Sequence, residues 1–166
     1  MDILDHHGGR AEHPVDLVEQ IACRHAWSFE RDEQDEISIV IAASWSDYHV
    51  SFTWLDDMEA LHLACSFDLK VPERRRTEII ELIGRVNTQL WVGHFDLWSS
   101  ENAIMFRHAL VLAGGTPPSP DQCEALIKVA VEACEKYYQA FQFVVWAGKN
   151  ATEALETILF ETAGEA

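Results

Sequence analysis

The chain has 166 residues, 28 acidic against 12 basic, with 48% hydrophobic residues and a formal net charge of −16 at pH 7. This length suits one domain that removes about two-thirds of its unfolded surface from water, and six tryptophans with eight phenylalanines exclude a disordered chain. The charge repels phosphate backbones and anionic lipid, so neither nucleic acid nor a membrane is an expected partner.

Residues 1–12 are polar and without periodicity, and read as a flexible tail in which His6 and His7 carry no assigned function. No apolar stretch approaches the roughly 20 residues needed to span a bilayer, and the first residues lack the basic-then-apolar order of a signal peptide. A cytoplasmic protein is expected. Its cysteines, Cys23, Cys65, Cys123 and Cys134, show no C-x-x-C spacing, so reduced and mostly buried thiols are expected rather than a zinc site.

From residue 13 to 166 a single domain is expected. Pro14 suits a first helical turn, and Val15, Leu17, Val18 and Ile21 recur on one side, which predicts a helix over 14–25. Alternation then takes over. Ile37, Ile39 and Ile41 predict a strand over 36–43, Tyr48 to Trp54 a second and Leu61 to Phe67 a third. Short turns make these an antiparallel meander, with Trp27–Arg31 as a short strand ahead of it.

Pro72 opens a second predicted helix with Ile79, Leu82, Ile83, Val86 and Leu90 on one face. The run Arg74-Arg75-Arg76, among Glu73, Glu78 and Glu81, reads as a solvated helix face. Next comes "LWVGHFDLW". With residues 99–102 as a hairpin turn, Trp98 faces Ala103, Leu97 faces Ile104, Asp96 faces Met105, Phe95 faces Phe106 and His94 faces Arg107. His94, Asp96 and Arg107 then share the outer face of a sheet. They are either a surface polar cluster or a catalytic or metal site; an arginine opposite His94 and the want of a third ligand favour the first.

Ser119, Pro120 and Gln122 mark the start of a long helix, with Cys123 to Phe141 along one stripe. "AFQFVVWAG" is apolar nearly all round, so it is buried in the core or against another subunit, with a strand as the alternative. A last short helix is expected over about 151–162.

The element order, with "CSFDLKVPERR", "GHFDLW", "FRHALVLAGG" and "AFQFVVWAGKNATEAL" at its joints, resembles the bacterial YbjN family from about residue 13 onward. The resemblance implies an α+β fold like that of type III secretion chaperones, a two-layer sandwich with helices packed on a curved antiparallel sheet. It also implies a sensory-transduction or stress-related regulator, from a family with no established catalytic residues to carry over. Chaperones of that fold are acidic cytoplasmic homodimers that hold a partner polypeptide in extended form.

A non-enzymatic interaction module is therefore expected, a homodimer that binds another, unknown polypeptide and needs no cofactor. Trp45, Trp54 and Trp98 lie in or beside turns and are the candidate partner-binding residues, because tryptophan is enriched at binding hot spots. Phe141, Phe143, Val145 and Trp146 are the candidate dimer seam. The alternative is a small-molecule or metal-binding protein, or an enzyme, using His94, Asp96 and Arg107.

Overall fold

The computed structural model describes residues 12–164, with side chains through residue 160. The expected tail, Glu12 apart, lies outside the described residues. The elements run α1 (Pro14–Arg24), β1 (Ser28–Glu33), β2 (Glu36–Ala42), β3 (Asp47–Leu55), β4 (Ala60–Lys70), α2 (Arg76–Asn87), β5 (His94–Trp98), β6 (Ala103–Val111), α3 (Pro120–Val145) and α4 (Ala151–Gly164). The six strands form one antiparallel sheet in the order β1-β2-β3-β4-β6-β5.

Helix ends are set by local chemistry. His13 caps α1, its Nδ1 accepting from the Val15 N–H at 3.1 Å while its Nε2 meets Asp35 at 2.7 Å. Ser119 and Gln122 form the expected reciprocal box, so two of the four orphan N–H groups at the start of α3 are satisfied. The second helix starts later than expected. Pro72 precedes a 3₁₀ turn over Glu73–Arg75, and α2 stops at Asn87, leaving Leu90 half-buried in the following loop.

Alternation decides which side of the sheet is covered. Ile37, Ile39, Val50, Phe52, Leu63, Cys65, Phe95, Ile104 and Phe106 point to one face and are almost wholly buried beneath α1, α2 and α3. An aromatic cluster ties the layers: Phe95 meets Phe106, Tyr137 and Phe141 at centroid distances of 5.5, 6.0 and 5.3 Å. Cys65 and Cys134 lie in the same core with sulfurs 3.7 Å apart, and Cys123 is buried while Cys23 is exposed. Burial pushes the Cys123 thiol up to about 11, the behaviour of a packing residue rather than a nucleophile.

The triple arginine divides its labour. Arg74 is exposed, but Arg75 donates to the carbonyls of Val144 at 2.8 Å and Lys149 at 2.6 Å. Arg76 reaches Ser99 Oγ at 2.9 Å. Two of the three cations thus tie the start of α2 to the end of α3 and to the β5–β6 hairpin, which corrects the reading of a solvated face. Position-by-position periodicity could not show this, because the acceptors, two carbonyls and the Ser99 hydroxyl, lie far along the chain.

The segment "AFQFVVW" is helical through Val145. Phe141 and Val145 are buried within the single chain, Phe143 is half-buried under the Lys149 ammonium, and Trp146 is 65% exposed. Phe141 and Val145 are therefore core residues and not a seam between subunits. Their surroundings are supplied by the sheet and by α4, which packs beside α3.

The two sheet edges differ. At β5, the Asn87 side chain accepts from the Phe95 N–H at 2.8 Å and donates to the Phe95 carbonyl at 3.0 Å, while Asp96 Oδ1 accepts from the Leu97 N–H. The amide thereby takes the place of a neighbouring strand. At β1, among the described residues, no strand pairs on the outer side.

Candidate interaction surface

The second face of the sheet carries short side chains at its centre. Across the ladder, Ser38, Ser51, Ala64, Arg107 and His94 form one row, and Val40, His49, Ser66, Met105 and Asp96 the next. The short Ser38, Ser51, Ala64 and Ser66 leave space between larger neighbours such as His62, Met105 and Arg107, and the face holds a trough of about 800 Å³ running from β2 to the β5–β6 hairpin. A second hollow of about 940 Å³ adjoins it, sharing Ser66, Ser100, Glu101 and Ala103 and bounded by Trp146. Between Ser66 and Lys70, β4 takes four steps where β6 takes two, from Met105 to Ala103. Such a bulge bends the strand and increases its twist.

The hairpin register is as the sequence predicts, pair by pair from Trp98–Ala103 to His94–Arg107. The polar cluster differs in one member. Arg107 bonds Asp96 Oδ2 through Nη1 at 3.2 Å and His62 Nε2 through Nε at 3.2 Å, while His94 is its ladder partner without a hydrogen bond to it. Accepting from Arg107 fixes the His62 proton on Nδ1. Burial first, then the charge of Arg107, lowers the His62 pKa from its ordinary value near 6.5, with His94 and His108 adding to the effect. His62 escaped the sequence reading because β4 neighbours β6 only through the tertiary pairing; no local signal marks it.

The chemistry within reach of this cluster is limited. Among the described residues, no hydroxyl or thiol is hydrogen-bonded to a histidine, and no three His, Cys, Asp or Glu side chains converge as a metal site would need. The arginine is already engaged by a carboxylate at comparable exposure. What the cluster does is hold Arg107 by two hydrogen bonds where it lines the trough.

The tryptophans sort clearly. Trp54 is only 5% exposed, its indole donating to Asp56 Oδ1 at 3.2 Å, so it belongs to the core and not to a partner surface. Its place at a strand end had suggested otherwise, but alternation turns it to the helix side with Phe52 and Val50. Trp45 and Trp98 are each 50% exposed. The β2–β3 turn, the end of β4 and the start of β6 lie at the same end of the sheet as the end of β5, so Trp45 and Trp98 share that end. Trp91, within the stretch that drew attention in the sequence, is wholly exposed in the loop before β5.

The family model for YbjN, described as "Putative bacterial sensory transduction regulator", matches residues 14–143. The chain belongs to the YbjN family. The crystal structure of YbjN from E. coli is similar with a TM-score of 0.52 at 10% sequence identity, over 72% of this chain and 84% of that one. The ExsC–ExsE complex is similar with a TM-score of 0.49 at 17% identity, over 72% of this chain and 86% of that one. No curated protein matches. At these identities the E. coli YbjN likeness shows the fold, an α+β sandwich of an open six-stranded antiparallel sheet with four helices. No helix among the described residues is long and apolar enough to cross a membrane.

Proposed function

We propose that this YbjN-family protein is a non-catalytic regulator that works by binding another polypeptide across the face of its sheet that no helix among the described residues covers. The observation that carries this reading is an open trough rimmed at its hairpin end by the half-exposed Trp98, with the exposed Trp146 bounding the adjoining hollow and Trp45 at the same end of the sheet. Isolated exposed apolar residues are ordinary, but large aromatics rimming a concave surface are the composition of an interaction site. The two hollows share Ser66, Ser100, Glu101 and Ala103 and so make one continuous surface, which suits a chain laid along the sheet.

The reading is tested by mild cross-linking in native lysate followed by mass spectrometry, comparing the wild-type chain with Trp98→Ser and Trp45→Ser. A single near-stoichiometric polypeptide, lost in both variants while their melting temperatures stay unchanged, is the expected result. A partner retained equally by both variants would sink the reading. For a homodimer, only Trp146 and the exposed part of Phe143 remain from the proposed seam. Light scattering on Trp146→Ser tests it, with a dimeric mass falling to that of a monomer as the expected outcome.

A further inference from the structure

We propose that β1 is a docking edge for an extended polypeptide segment in which basic and apolar residues alternate, added as a seventh strand. The proposal rests on the polypeptide-binding reading and names the chemistry of the partner.

The first ground is the contrast between the edges. An edge strand offers a row of outward N–H and C=O groups, and folded proteins block such rows where pairing is harmful. Here β5 is blocked by the Asn87 amide and by Asp96, whereas at β1 the described residues show one side-chain bond to the strand's main chain, from Arg31 Nε to the Glu33 carbonyl at its end, and none over Ser28–Asp32. The second ground is apolar surface at β1. Phe29 pairs with Ile39 on the helix side and is only half-buried, and Trp27, stacked on His25 at 4.3 Å, stands beside it. A seventh strand with apolar residues on that side would complete their burial.

The third ground is charge. Glu30, on the trough side opposite Ser38, and Asp32 and Glu33 are exposed and have no ion-pair partner among the described residues. The one cation of the strand, Arg31, is taken up by Asp16 at 2.8 Å and Glu19 at 3.6 Å and by the carbonyls of Glu33 and Gln34. An incoming strand therefore meets unpaired carboxylates on one side and aromatic carbon on the other. A second copy of this chain would bring the same acids to the edge, and like charges opposite one another oppose pairing. The net charge of −16 steers a basic segment toward the molecule.

The probe is a fluorescein-labelled hexapeptide alternating lysine and valine, compared with its glutamate–valine and serine–valine counterparts and with a lysine–valine peptide N-methylated along one edge. Anisotropy is read at about 0.15 M salt, where the Debye length of ~8 Å restricts charge effects to near contacts. The lysine peptide is expected to bind at least about tenfold tighter than the serine peptide, and to slow amide hydrogen exchange at Ser28–Glu33. N-methylation or the double variant Glu30→Lys, Asp32→Lys should each remove that advantage. Equal binding of the N-methylated peptide, or protection elsewhere than β1, overturns strand addition. If the partner captured through Trp98 also binds the double variant undiminished, docking at β1 is wrong while polypeptide binding stands. If no such partner exists and none of the peptides binds, both fall.

Discussion

The two faces of the sheet are built from the same strands by alternate residues, yet they do opposite things. On the helix side, Phe52, Leu63 and Phe106 are sealed with Phe141 from α3. On the trough side, Ser51, Ala64 and Ser66 leave a hollow with polar groups along it. The core face is filled to the density of a solid and is intolerant of volume change. The trough face has surplus space, and its polar groups are arranged rather than packed. This contrast separates stability from binding residue by residue.

The largest expected effect comes from breaking the covered face. Phe141→Ala removes a ring that Phe95 and Phe67 both touch, and should cost about 3–5 kcal/mol in a urea unfolding curve. Val145→Glu belongs to the same class, since it places an unpaired carboxylate in the core. It should lower the urea midpoint while a surface role would leave stability intact.

Next is Gly93, which sits at φ +71° where a Cβ would overlap the Phe106 ring and lie 2.9 Å from the Arg107 carbonyl oxygen. Gly93→Ala should cost about 2–3 kcal/mol, combining left-handed strain with displacement of a core ring. A change under about 0.5 kcal/mol would show that the β5 entry is looser than its geometry.

Asn87→Ala sharpens the edge contrast. It strands the Phe95 N–H and carbonyl and should cost about 1–3 kcal/mol, with faster exchange at the Phe95 amide. If exchange there is unaltered, the side chain is not acting as a strand substitute.

The smallest effect is the pH response of the trough. The His62 pKa is lowered in the fold, so as pH falls through and below about 6.5 the unfolded chain binds this proton more readily than the folded one. Stability attributable to His62 is thus complete above that range, is lost as pH falls toward its folded pKa, and does not decline further below it. His62→Gln should flatten that part of the stability–pH curve. An identical slope in the variant would separate His62 from the effect.

Much of this was legible in the chain. The hairpin register followed from one turn assignment, because side chains alternate with period two and only one register puts Phe95, Leu97, Ile104 and Phe106 together. The start of α3 followed from Ser119, Pro120 and Gln122, whose chemistry is local. The candidate site was legible only in part. Asp96 and Arg107 share a strand pair and could be found, whereas His62 arrives from β4, a neighbour in space alone.

By itself, then, the sequence determined the elements, their faces and the family, since periodicity and capping act within a few residues of one another. Only the tertiary structure decided which apolar residues remain outside. Trp54 and Phe141 went into the core while Trp98 and Trp146 did not, because burial depends on what the opposite layer supplies. The order β4-β6-β5, the blocked edge at Asn87 and the edge at β1, unpaired among the described residues, likewise come from pairings between distant segments, whose hydrogen bonds leave no local mark.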